Sequence, residues 1–228
     1  MPIVRVLLTP VAEPVPRHAA AVIVDVLRAT STLSYALANG ASSVIPVATP
    51  EAAFAARRAH PSALLCGERD GRIIAGFDLG NSPLEFGREV VAGRPLIFAS
   101  TNGSIGMLHA ARARRRVLGA FVNAAAVLRA VAGERDVSIV CSGKLGRFSL
   151  EDAAFAGWLC RALAERGAEI EGAAARFTMR TAPRDASEVR RVLEGASHGR
   201  YLIGLGGEFR RDVARCAEID ALDRAFEI

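Results

Sequence analysis

Short apolar runs alternate with longer amphipathic stretches along most of this chain, and that alternation admits few folds. Residues 21–24, 43–47, 63–66, 96–99, 117–119 and 137–141 are brief apolar runs, several of them uninterrupted, as expected of strands covered on both faces. Between them, residues 30–39, 50–60, 82–91, 103–112, 123–131 and 149–166 carry helical spacing. Strands that return through helices build parallel sheets. The expectation is an α/β fold, a three-layer α/β/α arrangement around a mainly parallel sheet with room for mixed pairing. Beyond residue 166 the spacing loosens: helices are expected over 183–194 and 208–216, with a turn at the glycine cluster 204–207. Residues 1–228 then read as a single domain in which 167–228 form a smaller, less regular C-terminal α+β portion.

At 228 residues and 51% hydrophobic, the chain can bury a core without covalent staples. Its formal net charge of +5 raises nucleic acid as a partner. Nearly every base is Arg, however, Lys144 being the exception, and the densest run, 112–116, reads as a solvated helix end without interleaved aromatics to stack on bases. Cys66, Cys141, Cys160 and Cys216 stand far apart among mostly apolar neighbours, with no Cys-x-x-Cys pair. That pattern points to buried thiols in a reducing compartment, not to zinc or a disulfide framework. The N-terminus lacks a basic stretch followed by a long apolar run, and no apolar run is long enough to span a bilayer. A cytoplasmic protein with neither nucleic-acid nor membrane partners is expected.

Polar residues concentrate where strands are expected to end, which is where open α/β sheets bind ligands. Asp25, Arg28, Thr30, Ser31 and Thr32 follow one strand, and Glu68, Arg69 and Asp70 follow another. Ser100, Thr101, Asn102, Gly103 and Ser104 follow a third, while Ser142, Gly143, Lys144, Arg147, Ser149, Glu151 and Asp152 follow a fourth. The first pair brings acid and Arg together; the second pair supplies small, glycine-bearing loops that suit an anion. In the irregular segment 66–85, Glu68 and Asp78 suit a cation, and Arg69 and Arg72 suit an anion. Oxygen ligands spread over several loops favour Mg²⁺, which binds through a few carboxylates together with substrate phosphate and water.

Each feature also has a plainer reading. Ser82, Pro83 and Glu85 make a helix start with a capping box, and Ser149 with Asp152 has the same spacing. Thr101 reads as a cap for the helix that follows, and Arg28 as a simple ion-pair partner for Asp25. His18, His60, His109 and His198 lie in unrelated contexts. With no Gly-x-Ser-x-Gly, His-x-x-x-His, P-loop or dinucleotide fingerprint present, histidine chemistry is not favoured.

The blocks Val24-Asp25-Val-Leu-Arg28-Ala-Thr30-Ser31-Thr32, Gly67-Glu68-Arg69 with Gly76-Phe77-Asp78-Leu-Gly80-Asn81-Ser82-Pro83, Ser100-Thr101-Asn102-Gly103, and Cys141-Ser142-Gly143 with Gly146-Arg147-Phe148-Ser149-Leu-Glu151-Asp152 resemble those of the 2-phosphosulfolactate phosphatases. The resemblance covers nearly the whole chain, including the tail from Gly199 to Asp220; Ser104 and Lys144 stand where Thr and Arg are more usual. It implies a Mg²⁺-dependent hydrolase converting 2-phospho-3-sulfolactate to 3-sulfolactate and phosphate, a step in coenzyme M synthesis. Carried over, it places Mg²⁺ among Asp25, Glu68, Asp78 and Asp152, with Asp25, Glu68 and Asp78 catalytic. Ser100, Thr101, Asn102, Gly103, Ser142 and Gly143 would cradle phosphate, and Arg28, Arg69, Asn81 and Arg147 would bind the rest of the substrate. Glu68 or Asp78 would be the general base, with a covalent route through Ser142 or Asp25 left open. The resemblance leaves room for another phosphorylated acid, for a non-catalytic binder of small anionic metabolites, and for a homo-oligomer.

Overall fold

The computed structural model describes residues 1–10 and 13–228. Among these residues the strands divide between two sheets. The first holds β1 (Ile3–Leu7), β2 (Ala20–Val24), β7 (Arg115–Gly119), β8 (Asp136–Cys141), β9 (Glu169–Ile170) and β10 (Phe226–Glu227), in the order β10-β7-β2-β8-β1-β9. All its pairs are parallel except β10 with β7. The second runs β3 (Ser43–Pro46), β6 (Pro95–Ala99), β4 (Leu64–Arg69), β5 (Arg72–Ile73), parallel but for β5. The α/β class and the mainly parallel, mixed pairing are as expected; the division into two sheets leaves no trace in periodicity.

Two helices explain the division. α1 (Ala29–Ala38) and α4 (Gly103–His109) lie between the sheets, α4 touching β2 of one and β3 of the other. Leu33, Ala36 and Met107 pack with Ile23, Leu118 and Val140 from the first sheet and with Leu64, Leu96 and Phe98 from the second. The first turn of α1 is polar yet wholly buried, because Thr30 Oγ1 donates to the carbonyls of Asp25 and Gly119 and Ser34 Oγ to that of Thr30. Its hydroxyls thus find acceptors within the protein, which makes their burial tolerable.

The outer faces are covered separately. α2 (Pro50–Ala59) seals the second sheet through Ala53 against Leu65, Phe77 and Ile97. α5 (Ala124–Val131) and α6 (Leu150–Ala164) seal the first through Val127, Phe155 and Leu159, with Phe121 and Phe155 edge to face at 5.4 Å. Four further helices, α7 (Gly172–Thr181), α8 (Ala186–Gly195), α9 (Ser197–Leu205) and α10 (Gly207–Cys216), pack on α6 and on one another.

Several boundaries differ from expectation. The helix expected over 82–91 shrinks to α3 (Arg88–Val91), because the Glu85 carboxylate reaches back to the Gly80 N–H and Ser82 Oγ donates to Asp212. β1, α7 and α9 were not anticipated. The basic run 112–116 is not a helix end: Arg115 opens β7 and pairs with Glu134 and Glu227. All four cysteines are buried free thiols, and burial pushes the Cys160 and Cys216 thiols up to about 12. Among the described residues no helix is long and apolar enough to cross a membrane.

Gly67 is where β4 meets the site. Its φ is +145°, and a Cβ there would collide with the carbonyl oxygen of Ala99 on β6, the neighbouring strand. Gly67→Ala should therefore destabilise the protein by about 3 kcal/mol or more and lower Tm by roughly 6–12 °C in a thermal melt.

Candidate active site

Register decides which residues meet. Val24 pairs with both Cys141 and Gly119, so Asp25 and Ser142 leave the first sheet at one edge. Gly67 pairs with Ala99, so Ser100 leaves β6 beside Glu68, where β4 parts from β6 and pairs only with β5. α4 joins the two edges, and Gly103 at its start permits the approach. A Cβ at Gly103 would overlap that of Ala29 and sit 2.7 Å from Asp25 Oδ2.

Four carboxylates gather here, Asp25, Glu68, Glu151 and Asp152, none more than 8% exposed. Backbone amides hold three of them. Asp25 Oδ1 accepts from the Ala29 N–H at 3.2 Å. Glu68 accepts from Gly71 and Thr101, both at 2.8 Å. Asp152 accepts from Val26 at 2.9 Å and Gly143 at 3.0 Å. The capping box expected of Asp152 does not form, since its donors are the N–H groups of Val26 and Gly143 and Ser149 makes no side-chain cap.

Burial pushes Asp25 up to about 6; the His198 imidazole and the Ala29 N–H pull it down, while Glu68 and Glu151 add to the rise. Asp152 is held well above the usual carboxylate range, first by burial and then by the charges of Asp25 and Glu151. Like charges this close, shielded from water, each resist ionisation of the others.

Beside them lies a cavity of about 230 Å³, with Glu68, Thr101, Asn102, Lys144, His198 and Tyr201 in its wall. Thr101 Oγ1 is buried there without a hydrogen-bond partner among the described residues, so it does not cap α4. Ser142 Oγ, at the adjoining strand end, is likewise buried and unpartnered. Lys144 Nζ sits 4.5 Å above the Tyr201 ring, and burial lowers its pKa against the opposing pull of Glu151, Glu68 and Asp70. Asn102 Oδ1 accepts from the Leu145 N–H at 2.7 Å, tying the two anion-suited loops together. Tyr201 closes the far side by donating to the Asp70 carbonyl at 3.0 Å.

Glu151 is among the polar residues expected at a strand end, whereas the sequence reading sets His198 aside and misses Tyr201. His198 and Tyr201 are three apart on α9 and share a face of it. Each is distant in sequence from every loop it meets, and no local pattern marks either one.

Other expected site residues are engaged elsewhere. Asp78 accepts from Arg57 Nη1 at 2.6 Å and from the Leu65 N–H at 2.8 Å, anchoring its own loop to α2. Arg69 turns to the backbone carbonyls of Glu68 and Ala48. Arg147 is exposed in a turn that pairs its backbone with that of Lys144. Ser100 and Ser104 satisfy each other: each hydroxyl accepts the other's backbone N–H, at 3.0 and 3.1 Å.

Arg28 does not pair with Asp25. It bonds to Asp212 and, at 2.6 Å, to the Gly71 carbonyl, beside a second cavity of about 370 Å³ that Asn81 also lines.

The oxygen donors suit Mg²⁺ in kind, yet among the described residues no three His, Cys, Asp or Glu side chains form a metal-holding group. Asp78 is removed from the expected set of four by its bonds to Arg57 and Leu65. Of the other three, Glu68 lines the cavity, and neighbouring Asp25 and Asp152 are left to hold an ion completed by substrate and water, a common arrangement for Mg²⁺.

Comparison with known proteins adds an independent line. Residues 9–227 match the family model described as 2-phosphosulpholactate phosphatase. A protein of Thermotoga petrophila named probable 2-phosphosulfolactate phosphatase is 38% identical over 200 residues, covering 88% of this chain and 85% of that one. Proteins of the same name from Symbiobacterium thermophilum and Deinococcus radiodurans are 41% and 44% identical, covering 89% and 82% of this chain and 88% and 78% of their own.

The folded value of about 6 for Asp25 lies above its ordinary 3.8. The folded state therefore holds this proton more tightly, and the stability it contributes below pH ~4 is lost as pH rises to ~6. Asp25→Asn, which keeps the acceptor for Ala29, should be more stable than the wild type at pH 8 in EDTA by about 3 kcal/mol. That advantage should shrink steadily in melts taken from pH 6 down to 4.

Proposed function

The chain belongs to the 2-phosphosulpholactate phosphatase family, and from that membership we propose a Mg²⁺-dependent phosphoric monoester hydrolase acting on a small anionic 2-hydroxy acid, with 2-phospho-3-sulfolactate the favoured substrate. The observation that carries the reading is the wall of the smaller cavity. Thr101 Oγ1 is buried without a partner among the described residues, and Lys144 lines the same cavity. An unmet buried hydroxyl is costly in the free protein and is relieved by a ligand with acceptor oxygens. A cation beside it selects an anionic one.

In this reading Thr101 and Lys144 orient the phosphate, and the cavity volume of about 230 Å³ limits the substrate to a small molecule. Glu68, fixed on both oxygens by N–H donors, lines the same wall and takes the proton of the attacking water. Asp25 and Asp152 would hold Mg²⁺, which when bound polarises a phosphoryl oxygen. Arg28 supports the site from behind, since it holds the carbonyl of Gly71, the residue whose N–H donates to Glu68.

Phosphate release from racemic 2-phospho-3-sulfolactate, with Mg²⁺ and then with EDTA, tests the reading, with 2-phospholactate and 3-phosphoglycerate as competitors. Metal-dependent release preferring the sulfonate is expected; release from none of the three would instead favour a binding protein. Glu68→Gln should lower kcat/KM by roughly 10²–10⁴-fold, as expected for loss of a general base.

A further inference from the structure

We propose that His198 is the general acid of the hydrolysis and that Glu151 is its positioning residue, an inference that rests on the phosphatase reading above. An aliphatic hydroxy acid leaves phosphorus as an alkoxide, so its departure needs a proton at the bridging oxygen as the P–O bond breaks. Lys144 and His198 are the cavity residues with ionisable nitrogen groups. Lys144 is suited to binding: its positive charge meets the phosphate, and donating the proton would remove that charge when the phosphate needs it most.

His198 is arranged for transfer. Its Nδ1 lies 3.6 Å from Glu151 Oε1, and the side chains of the pair are 15% and 3% exposed. Glu151 has no other ion-pair partner among the described residues, and His198 Nε2 makes no hydrogen bond there. A buried carboxylate 3.6 Å from the imidazole of a residue that lines a substrate-sized cavity, with the second ring nitrogen unengaged, is an acid-and-orienter arrangement that substrate binding would tighten to hydrogen-bond distance. Neither group ties one part of the fold to another through a hydrogen bond, unlike Asp152 or Asp212, so a structural role accounts poorly for them.

The step balances. A water oxygen bonds to phosphorus and its proton passes to the Glu68 carboxylate. The ester P–O bond breaks with its electron pair going to the substrate oxygen, which takes the Nε2 proton of the imidazolium. The products are the free hydroxy acid, phosphate, a neutral imidazole and a protonated Glu68, and return of the Glu68 proton to His198 through solvent resets the pair.

Dependence on the leaving group separates this role from mere binding. With 2-phospho-3-sulfolactate, whose leaving group is an aliphatic alkoxide, His198→Gln should lower kcat/KM by roughly 10²–10⁴-fold. With p-nitrophenyl phosphate, whose leaving group needs no proton, the loss should stay below about tenfold. Glu151→Gln should show the same selectivity at smaller amplitude, because the imidazole keeps its proton but loses its orientation. Retained hydrolysis of the aryl ester certifies that each variant is folded. Equal losses on both substrates, or none on either, would overturn the assignment while leaving the phosphatase reading intact. A wild type that hydrolyses neither would overturn both.

Discussion

Bringing several carboxylates together out of water is the constraint around which this molecule is arranged. Isolated buried charge is among the most expensive things a fold can contain. Here the cost is met locally by backbone N–H groups of Ala29, Gly71, Thr101, Val26 and Gly143. Each belongs to the loop or helix start just beyond a strand, so the acids and the donors that hold them come from the same edges. What the donors leave uncompensated shows in the raised pKa values of Asp25 and Asp152.

That arrangement needs two sheets, not one. A single parallel sheet presents its strand ends in a row, whereas here the ends of β2 and β8 face those of β4 and β6 across α1 and α4. Close approach is secured by absent side chains at Gly67 and Gly103, where a Cβ would strike the Ala99 carbonyl or crowd Asp25. Stability and site geometry are therefore tied to the same positions, as is common where a fold stores unfavourable contacts for function.

The C-terminal helices complete the site. α9 supplies His198 and Tyr201 to the cavity, and α10 supplies Asp212, which fixes Arg28 and Ser82. Arg28 in turn holds the carbonyl of Gly71, the residue whose N–H donates to Glu68. A chain of contacts thus runs from the last helix to the centre of the carboxylate cluster, and the segment with the loosest sequence pattern helps to line the candidate site.

The sequence by itself determined the α/β class, most strands and helices, and the placing of Asp25, Glu68, Thr101, Asn102 and Asp152 at neighbouring strand ends. Apolar period reports burial, and a polar residue directly after a buried strand sits at the strand end whatever the tertiary arrangement. Only the tertiary structure decided which way loop side chains turn. Asp78 and Arg69 lie within a few residues of Glu68 yet bind Arg57 and backbone carbonyls on the α2 side, and Arg28 passes over adjacent Asp25 for distant Asp212. The structure alone also brought His198 of α9 to Glu151 of α6, since contacts between remote segments depend on packing that no local pattern encodes.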